Sequence, residues 1–236
     1  MAVARTKTEP PRTTRQEPAG ATKKEPPRTT KREPSRTAKR APRPTTTAAP
    51  PRTAERILDI AERLVQVRGF NNFSYADIAT ELGITKASLH YHYPGKAELG
   101  QALITRYAER FAEALERIDR DLPDARAKLE AYANLYAEVL RGKRMCMCGI
   151  LAAEYQTLPG PMRGAVIGFF DENQRWLAGL LSQGKKERSL KYKGSPEDVA
   201  QGILSTLEGA MLVARPYGDL VRFNAAAGQL LAGLTP

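Results

Sequence analysis

The densest run of hydrogen-bonding side chains in the chain lies between Ser74 and Lys96. Ser74, Tyr75, Thr85, Lys86, Ser88, His90, Tyr91, His92 and Lys96 fall there together, with Ala87 among them. Nothing in this run has the spacing of a metal site or of a nucleophile with its base. It suits a polyanion instead: Lys, Ser and His reach base edges in a major groove, while tyrosine hydroxyls and ammoniums pin phosphates. A second group lies near the middle of the chain, in Met145-Cys146-Met147-Cys148-Gly149. Two thiols alone leave a zinc or copper site short of ligands, and the two histidines belong to the first run. Two readings of the cysteines remain open. They are thiols activated by Lys143 and Arg144, reactive toward electrophiles or oxidants, or they are small apolar residues lining a ligand cavity. Glu154, Tyr155 and Arg163 would give such a cavity its polar anchors, and Phe170 and Trp176 are further candidate ligand contacts.

Elements that could position the first run are readable from its ends. Ser74 followed by Asp77 is a capping-box pattern, so a helix should start near Tyr75. Ile78, Ala79 and Leu82 give that helix an apolar stripe, and Gly83 ends it in a left-handed turn. Thr85 caps a second short helix whose Leu89 faces inward, leaving Lys86, Ala87, Ser88, His90 and Tyr91 outside. Pro94 stops it, and Lys96 stands where the next helix begins, a place that suits a phosphate.

The whole string resembles the DNA-binding domain of the TetR family of bacterial regulators. The likeness is carried by Arg68-Gly69-Phe70, Tyr-Ala-Asp-Ile-Ala from Tyr75, Leu-Gly-Ile-Thr-Lys-Ala-Ser-Leu from Leu82, the His/Tyr cluster, and Pro-Gly-Lys-Ala-Glu-Leu from Pro94. It spans about residues 52–111. Two positions depart: His90 stands where the family usually has a tyrosine that touches the phosphate backbone, and Tyr93 where it has phenylalanine. The resemblance implies an all-α fold, a three-helix head carrying the helix-turn-helix and a larger six-helix body for ligand binding and dimerisation. The stretch around Cys146 is similar to the inducer-binding region of acrylate- and electrophile-responsive members.

Helical periodicity continues to the end of the chain. Expected helices cover 53–68, 96–121, 124–141, 149–158, 161–184, 195–215 and 219–234. The eighth carries Gly202, Ser205, Thr206 and Gly209 among Ile203, Leu204 and Leu207. Each glycine there costs about 1 kcal/mol against alanine, so close approach of another helix is expected. With Leu220 and Phe223 of the ninth helix these residues resemble the family's paired dimer helices. A symmetric homodimer would set two recognition helices about 34–36 Å apart, or a multiple of that, and select a palindromic operator.

Charge is concentrated at one end. The protein carries +11 overall; residues 1–52 hold fourteen Lys or Arg against four Glu, a balance of +10, leaving +1 for the rest. From Glu9 an octapeptide recurs (EPPRTTRQ, EPAGATKK, EPPRTTKR, EPSRTAKR) and no large apolar residue occurs between Ala4 and Arg56. Such a segment cannot offset its ordering entropy, so residues 1–51 are expected to form a disordered basic arm that follows phosphates or merely aids solubility. Residues 52–112 would be the DNA-binding head and 113–236 the ligand-binding and dimerisation body.

No apolar run is long enough for a membrane span or a signal peptide, and two cysteines make no disulfide framework, so a cytoplasmic, nucleoid-associated place is expected. No phosphate loop, Gly-x-Ser-x-Gly or paired histidine suggests an enzyme, and no cofactor is called for. The expected function is a regulator, a repressor that binds double-stranded DNA as a dimer and is released by a small-molecule effector. The alternative is a nucleoid-associated or scaffolding DNA protein in which the basic arm dominates and sensing is lost.

Overall fold

Nine α-helices and two short 3-10 turns make up residues 51–235, the part of the chain that the computed structural model describes. No strand occurs among them, and the basic arm lies outside the described residues. Helix α1 (Pro51–Arg68) turns Ile57, Ala61, Leu64 and Val65 inward, all four buried. Short helix α2 (Tyr75–Leu82) packs against it and α3 (Lys86–His92) packs on α2, the two joined by a turn at Gly83. Gly83 has φ +68°, a conformation cheap only for glycine, and from there Ile84 N–H reaches back 3.0 Å to the Ala79 carbonyl.

Helix α4 (Lys96–Asp121) is the spine. Its first half packs on α1 through Leu99, Leu103 and Ile104, and its second half joins α5 (Ala125–Arg141) and α7 (Gly160–Lys186). Between α5 and α7 lie α6 (Met147–Ala153) and a 3-10 turn over Tyr155–Thr157. Helices α8 (Pro196–Ala214) and α9 (Val221–Leu234) close the body against α7 and α5. The sixth helix is shorter than its periodicity suggests, because the chain tightens at Glu154 before Pro159. The ninth begins at Val221 rather than Asp219, since Gly218 turns left-handed and Asp219 Oδ1 accepts the Val221 amide at 3.0 Å.

One ion cluster joins α4 to α1, buried at Arg106, nearly so at Glu62 and open to solvent at Glu55 and Asp59. Arg106, 8% exposed, donates to Asp59 (2.8 Å), Glu55 (3.2 Å) and Glu62 (2.7 Å), so a single guanidinium gathers three carboxylates one turn apart. Burial works against the charged guanidinium, while Glu62, Asp59 and Glu55 hold its pKa above the ordinary value.

Candidate nucleic-acid interface and effector core

Helix α3 exposes one polar face and plants the other. Leu89 is fully buried, while Lys86, Ala87, His90 and Tyr91 are exposed, Tyr91 by 54%. The Thr85 hydroxyl accepts the Ser88 amide at 3.1 Å, so it serves the helix as a cap and still presents its outer side. Ser88 is half-buried. At the start of α2, the Ser74 amide and hydroxyl each donate to Asp77 Oδ2 at 2.7 Å, which lowers the Asp77 pKa below the usual carboxylate value. The histidines differ. His90 lies tilted against Tyr75 with ring centres 4.7 Å apart and places Nδ1 3.0 Å from the Pro94 carbonyl, which can only accept, so Nδ1 is the donor in that contact. His92 is half-buried with its Nε2 turned away from solvent.

Two residues expected on the DNA side face inward instead. Tyr75 is buried and its hydroxyl lies 2.9 Å from the Tyr93 carbonyl and 2.6 Å from that of Gly95, which pins α2 to the corner before α4. Burial, with Glu98 and Tyr93 nearby, pushes its pKa up to about 12. Lys96 donates to the Phe73 carbonyl at 2.6 Å and lies over the rings of Phe70 (4.7 Å) and Phe73 (4.3 Å). Burial lowers its pKa, opposed by the charges of Glu154 and Asp77. An ammonium set against two phenyl rings gains more there than at an open helix start, where the dipole repels it.

The polar anchors proposed for an effector cavity are also placed differently. Glu154 reaches out of the body to the α1–α2 corner and accepts the Phe70 amide at 2.7 Å and the Asn71 amide at 3.3 Å. Arg163 closes the turn before α7, donating to the carbonyls of Leu158 (2.9 Å) and Gln156 (3.0 Å) and lying over the Tyr155 ring. Trp176 stacks on Tyr132 and donates to Asp119 at 2.8 Å, and Phe170 meets Phe169 edge-on.

Cys146 and Cys148 are buried and free. Burial first, then the nearby Glu208 carboxyl, raises both thiol pKa values well above the ordinary one. The two cations expected to activate the thiols lie elsewhere: Arg144 turns to the Gln66 side chain (3.3 Å) and Lys143 is exposed, while the ionisable group that bears on the sulfurs is Glu208. No group of potential metal ligands occurs among the described residues.

What sequence reasoning missed is the polar centre of the body. Tyr107 donates to Cys146 Sγ at 3.6 Å, and the Cys146 thiol in turn bears on Glu208 of α8. Tyr132 and Tyr136 share a 3.1 Å hydrogen bond, and Tyr132 donates to Asn173 at 3.1 Å. Phe111 and Phe169 complete the ring of aromatics. Glu208 Oε1 is out of solvent without a hydrogen-bond partner, and burial pushes the carboxyl pKa up to about 7. The carboxyl lies directly against Gly149: a Cβ there would come within 2.2 Å of Oε2, so any larger residue would push the carboxyl out of its present place. A Glu in the middle of an amphipathic helix reads as solvated, so the sequence offered no signal for it.

The expected dimer residues divide as well. Gly202 and Gly209 are exposed, and a Cβ on either would meet nothing. Thr206 and Leu220 are half-buried, and Leu212, Val213 and Val221 stand exposed on the same two helices. Phe223 does not belong with them; at 1% exposure it is core of its own subunit.

Residues 57–103 match the bacterial regulatory proteins of the tetR family, and residues 106–230 match the tetracyclin repressor-like C-terminal domain. The chain belongs to the TetR family. A TetR-family regulator from Agrobacterium tumefaciens shares its fold at a TM-score of 0.76 with 30% identity, over 78% of this chain and 98% of the other. A TetR regulator from Legionella pneumophila gives 0.72 and 32%, over 78% and 97%. Among curated relatives, the transcriptional regulator AcuR of Cereibacter sphaeroides is 28% identical over 153 residues, 63% of this chain and 69% of that protein. The nucleoid occlusion factor SlmA of Aliivibrio fischeri is 27% identical over 168 residues, 70% and 79%. The TetR assignment makes the protein a DNA-binding transcription regulator and not an enzyme. No helix among the described residues is long and apolar enough to cross a membrane.

Proposed function

We propose that the protein is a ligand-responsive repressor that binds a palindromic operator as a homodimer and leaves it when a small molecule occupies the body. The observation that carries this reading is the contrast on α3: a fully buried Leu89 behind a face of Lys86, Ala87, His90 and Tyr91. A face of that size and polarity fits a major groove, with Lys86 and His90 toward base edges and Tyr91 toward phosphate. Ser74, Thr85, Ser88 and the first turn of α4 flank it. One short helix binds weakly, so a second half-site is needed. The open strip of Gly202, Ser205, Gly209, Leu212 and Val213 on α8, with Val221, Ala225 and Gly228 on α9, is small and apolar enough for a partner's helices to approach closely.

The division into an arm (1–51), a head (52–112) and a body (113–236) is part of this proposal. The arm adds affinity by counterion release without reading sequence. The effector acts at the polar centre of the body, where the Glu208 oxygen lacks a partner beside the hydrogen-bonded Cys146 and Tyr107. It releases DNA only by binding the head spacing that does not fit the operator more tightly.

A salt titration against selected and random duplexes tests the reading. The selected duplex should keep an advantage of at least about 10³ as salt rises, and deleting residues 1–50 should flatten the salt slope for both. Equal affinity for both duplexes at every salt concentration would instead favour the nucleoid-scaffolding alternative, to which the likeness to nucleoid occlusion factors lends some support.

A further inference from the structure

Body and head meet at the corner between α1 and α2. Helix α1 ends at Arg68, and the φ of +88° at Gly69 swings the chain away and leaves the amides of Phe70 and Asn71 pointing at the body. Both are taken by one oxygen, Glu154 Oε2, at 2.7 and 3.3 Å. A single carboxylate thus holds two backbone donors that lie 84 and 83 residues away in sequence. The approach is close enough that a Cβ on Gly69 would sit 2.3 Å from Glu154 Oε1.

The contact is built on both sides. Asn71 Nδ2 donates to Thr157 Oγ1 at 2.8 Å, and that hydroxyl donates back to the Glu154 carbonyl at 2.8 Å, so corner and turn are doubly tied. From the head side, the Lys96 ammonium between Phe70 and Phe73 feels the Glu154 charge. Two further ties grip the end of α1 itself: the Met145 amide donates to the Gln66 carbonyl at 3.2 Å, and Arg215, where α8 ends, donates to that of Val67. Glu154 differs from these two in place. It follows the last residue of α6, whose first turn carries Cys148 and the glycine that admits Glu208.

We propose that Glu154 is a positioning residue for DNA recognition: by accepting the Phe70 and Asn71 amides it sets the angle at which each head leaves its body, and so the half-site spacing that the dimer accepts. The inference rests on the dimeric operator reading above. It assigns to one carboxylate a role that a plain stabilising staple would not have. A staple lowers the melting temperature when removed and leaves the preference among spacings unchanged. A positioning group alters that preference in protein that remains folded.

The experiment uses the full-length protein. Duplexes are selected from a random pool with the wild type, and the distance between half-sites is then lengthened or shortened by one or two base pairs. Affinity for each spacing and for random duplex, with thermal unfolding alongside, is measured for wild type, Glu154→Gln and Glu154→Ala. The wild type should prefer one spacing. Glu154→Gln, which keeps an acceptor oxygen in place, should retain that preference. Glu154→Ala should lose about tenfold of its discrimination, the scale of one charge-assisted hydrogen bond, at unchanged affinity for random duplex. Wild-type discrimination in folded Glu154→Ala overturns the proposal. Should that variant not fold, Glu154→Asp, which keeps the charge but falls one methylene short, is read with the same two outcomes. A wild type indifferent to spacing would sink the dimeric operator reading itself, a result distinct from an unaltered Glu154→Ala.

Discussion

The head and the centre of the body treat polar groups in opposite ways. In the head, the two inward polar side chains beside the recognition helix each meet backbone carbonyls: Tyr75 those of Tyr93 and Gly95, Lys96 that of Phe73. In the body, thiols, tyrosine hydroxyls and a carboxyl are gathered out of water, and one carboxyl oxygen is left without a partner. A satisfied cluster specifies one geometry, whereas an unsatisfied buried carboxyl costs free energy until something meets it. The difference teaches that, on the proposed reading, the DNA-facing part is the better satisfied of the two and the effector's free energy would be spent in the body.

The comparison can be broken from either side. The largest effect is expected at the joint: Arg106→Ala would leave Glu62, nearly buried beside it, with only the longer Arg110 contact at 3.5 Å, and should cost about 3 kcal/mol in denaturant unfolding. A loss below about 1 kcal/mol would mean that the cluster is solvated. Next is Glu208. Its folded pKa, near 7, lies above the ordinary value of 4.5, so the folded state holds the proton more tightly than the unfolded chain. Stability should therefore be greatest below about pH 4.5, as far as this group is concerned, and fall as pH rises through 7, by about 3 kcal/mol in all. Glu208→Gln should remove that slope and raise the melting temperature at pH 8; a pH profile identical to wild type would show the carboxyl to be hydrated.

Smaller effects sharpen the contrast. Lys86→Ala and Tyr91→Ala should each weaken specific binding by about 1–2 kcal/mol in a mobility-shift titration without changing the melting temperature, since both side chains are exposed. Unchanged retardation would mean that another face meets DNA. The smallest effect is chemical: in the native protein a maleimide should label neither Cys146 nor Cys148 until the chain is unfolded, because both thiols are buried and held protonated. Rapid labelling at neutral pH would restore the activated-thiol reading.

What could be read from the sequence was what depends on neighbours in the chain. Ser74 with Asp77, Gly83 and Thr85 act within four residues, and α2, the turn and α3 fall where those signals put them. Leu89 inward and Lys86 and Tyr91 outward follow from the same short range. Distant partners were out of reach. Lys96 looked free for phosphate because its aromatic neighbours come from a different element, and Glu154 looked like a ligand anchor because its partners lie more than eighty residues upstream. Phe223 was assigned to the wrong side of α9 because that helix is apolar on two faces, and only packing against the rest of the body decides which one turns inward.

The brevity of α6 has a mechanical meaning. Seven residues make a rod only about 10 Å long, too short to bend, pinned by the thiol cluster at one end and followed directly by Glu154 at the other. A nudge of about 1 Å on such a rod tips it by roughly 6°, and whatever is bolted to its far end must swing with it.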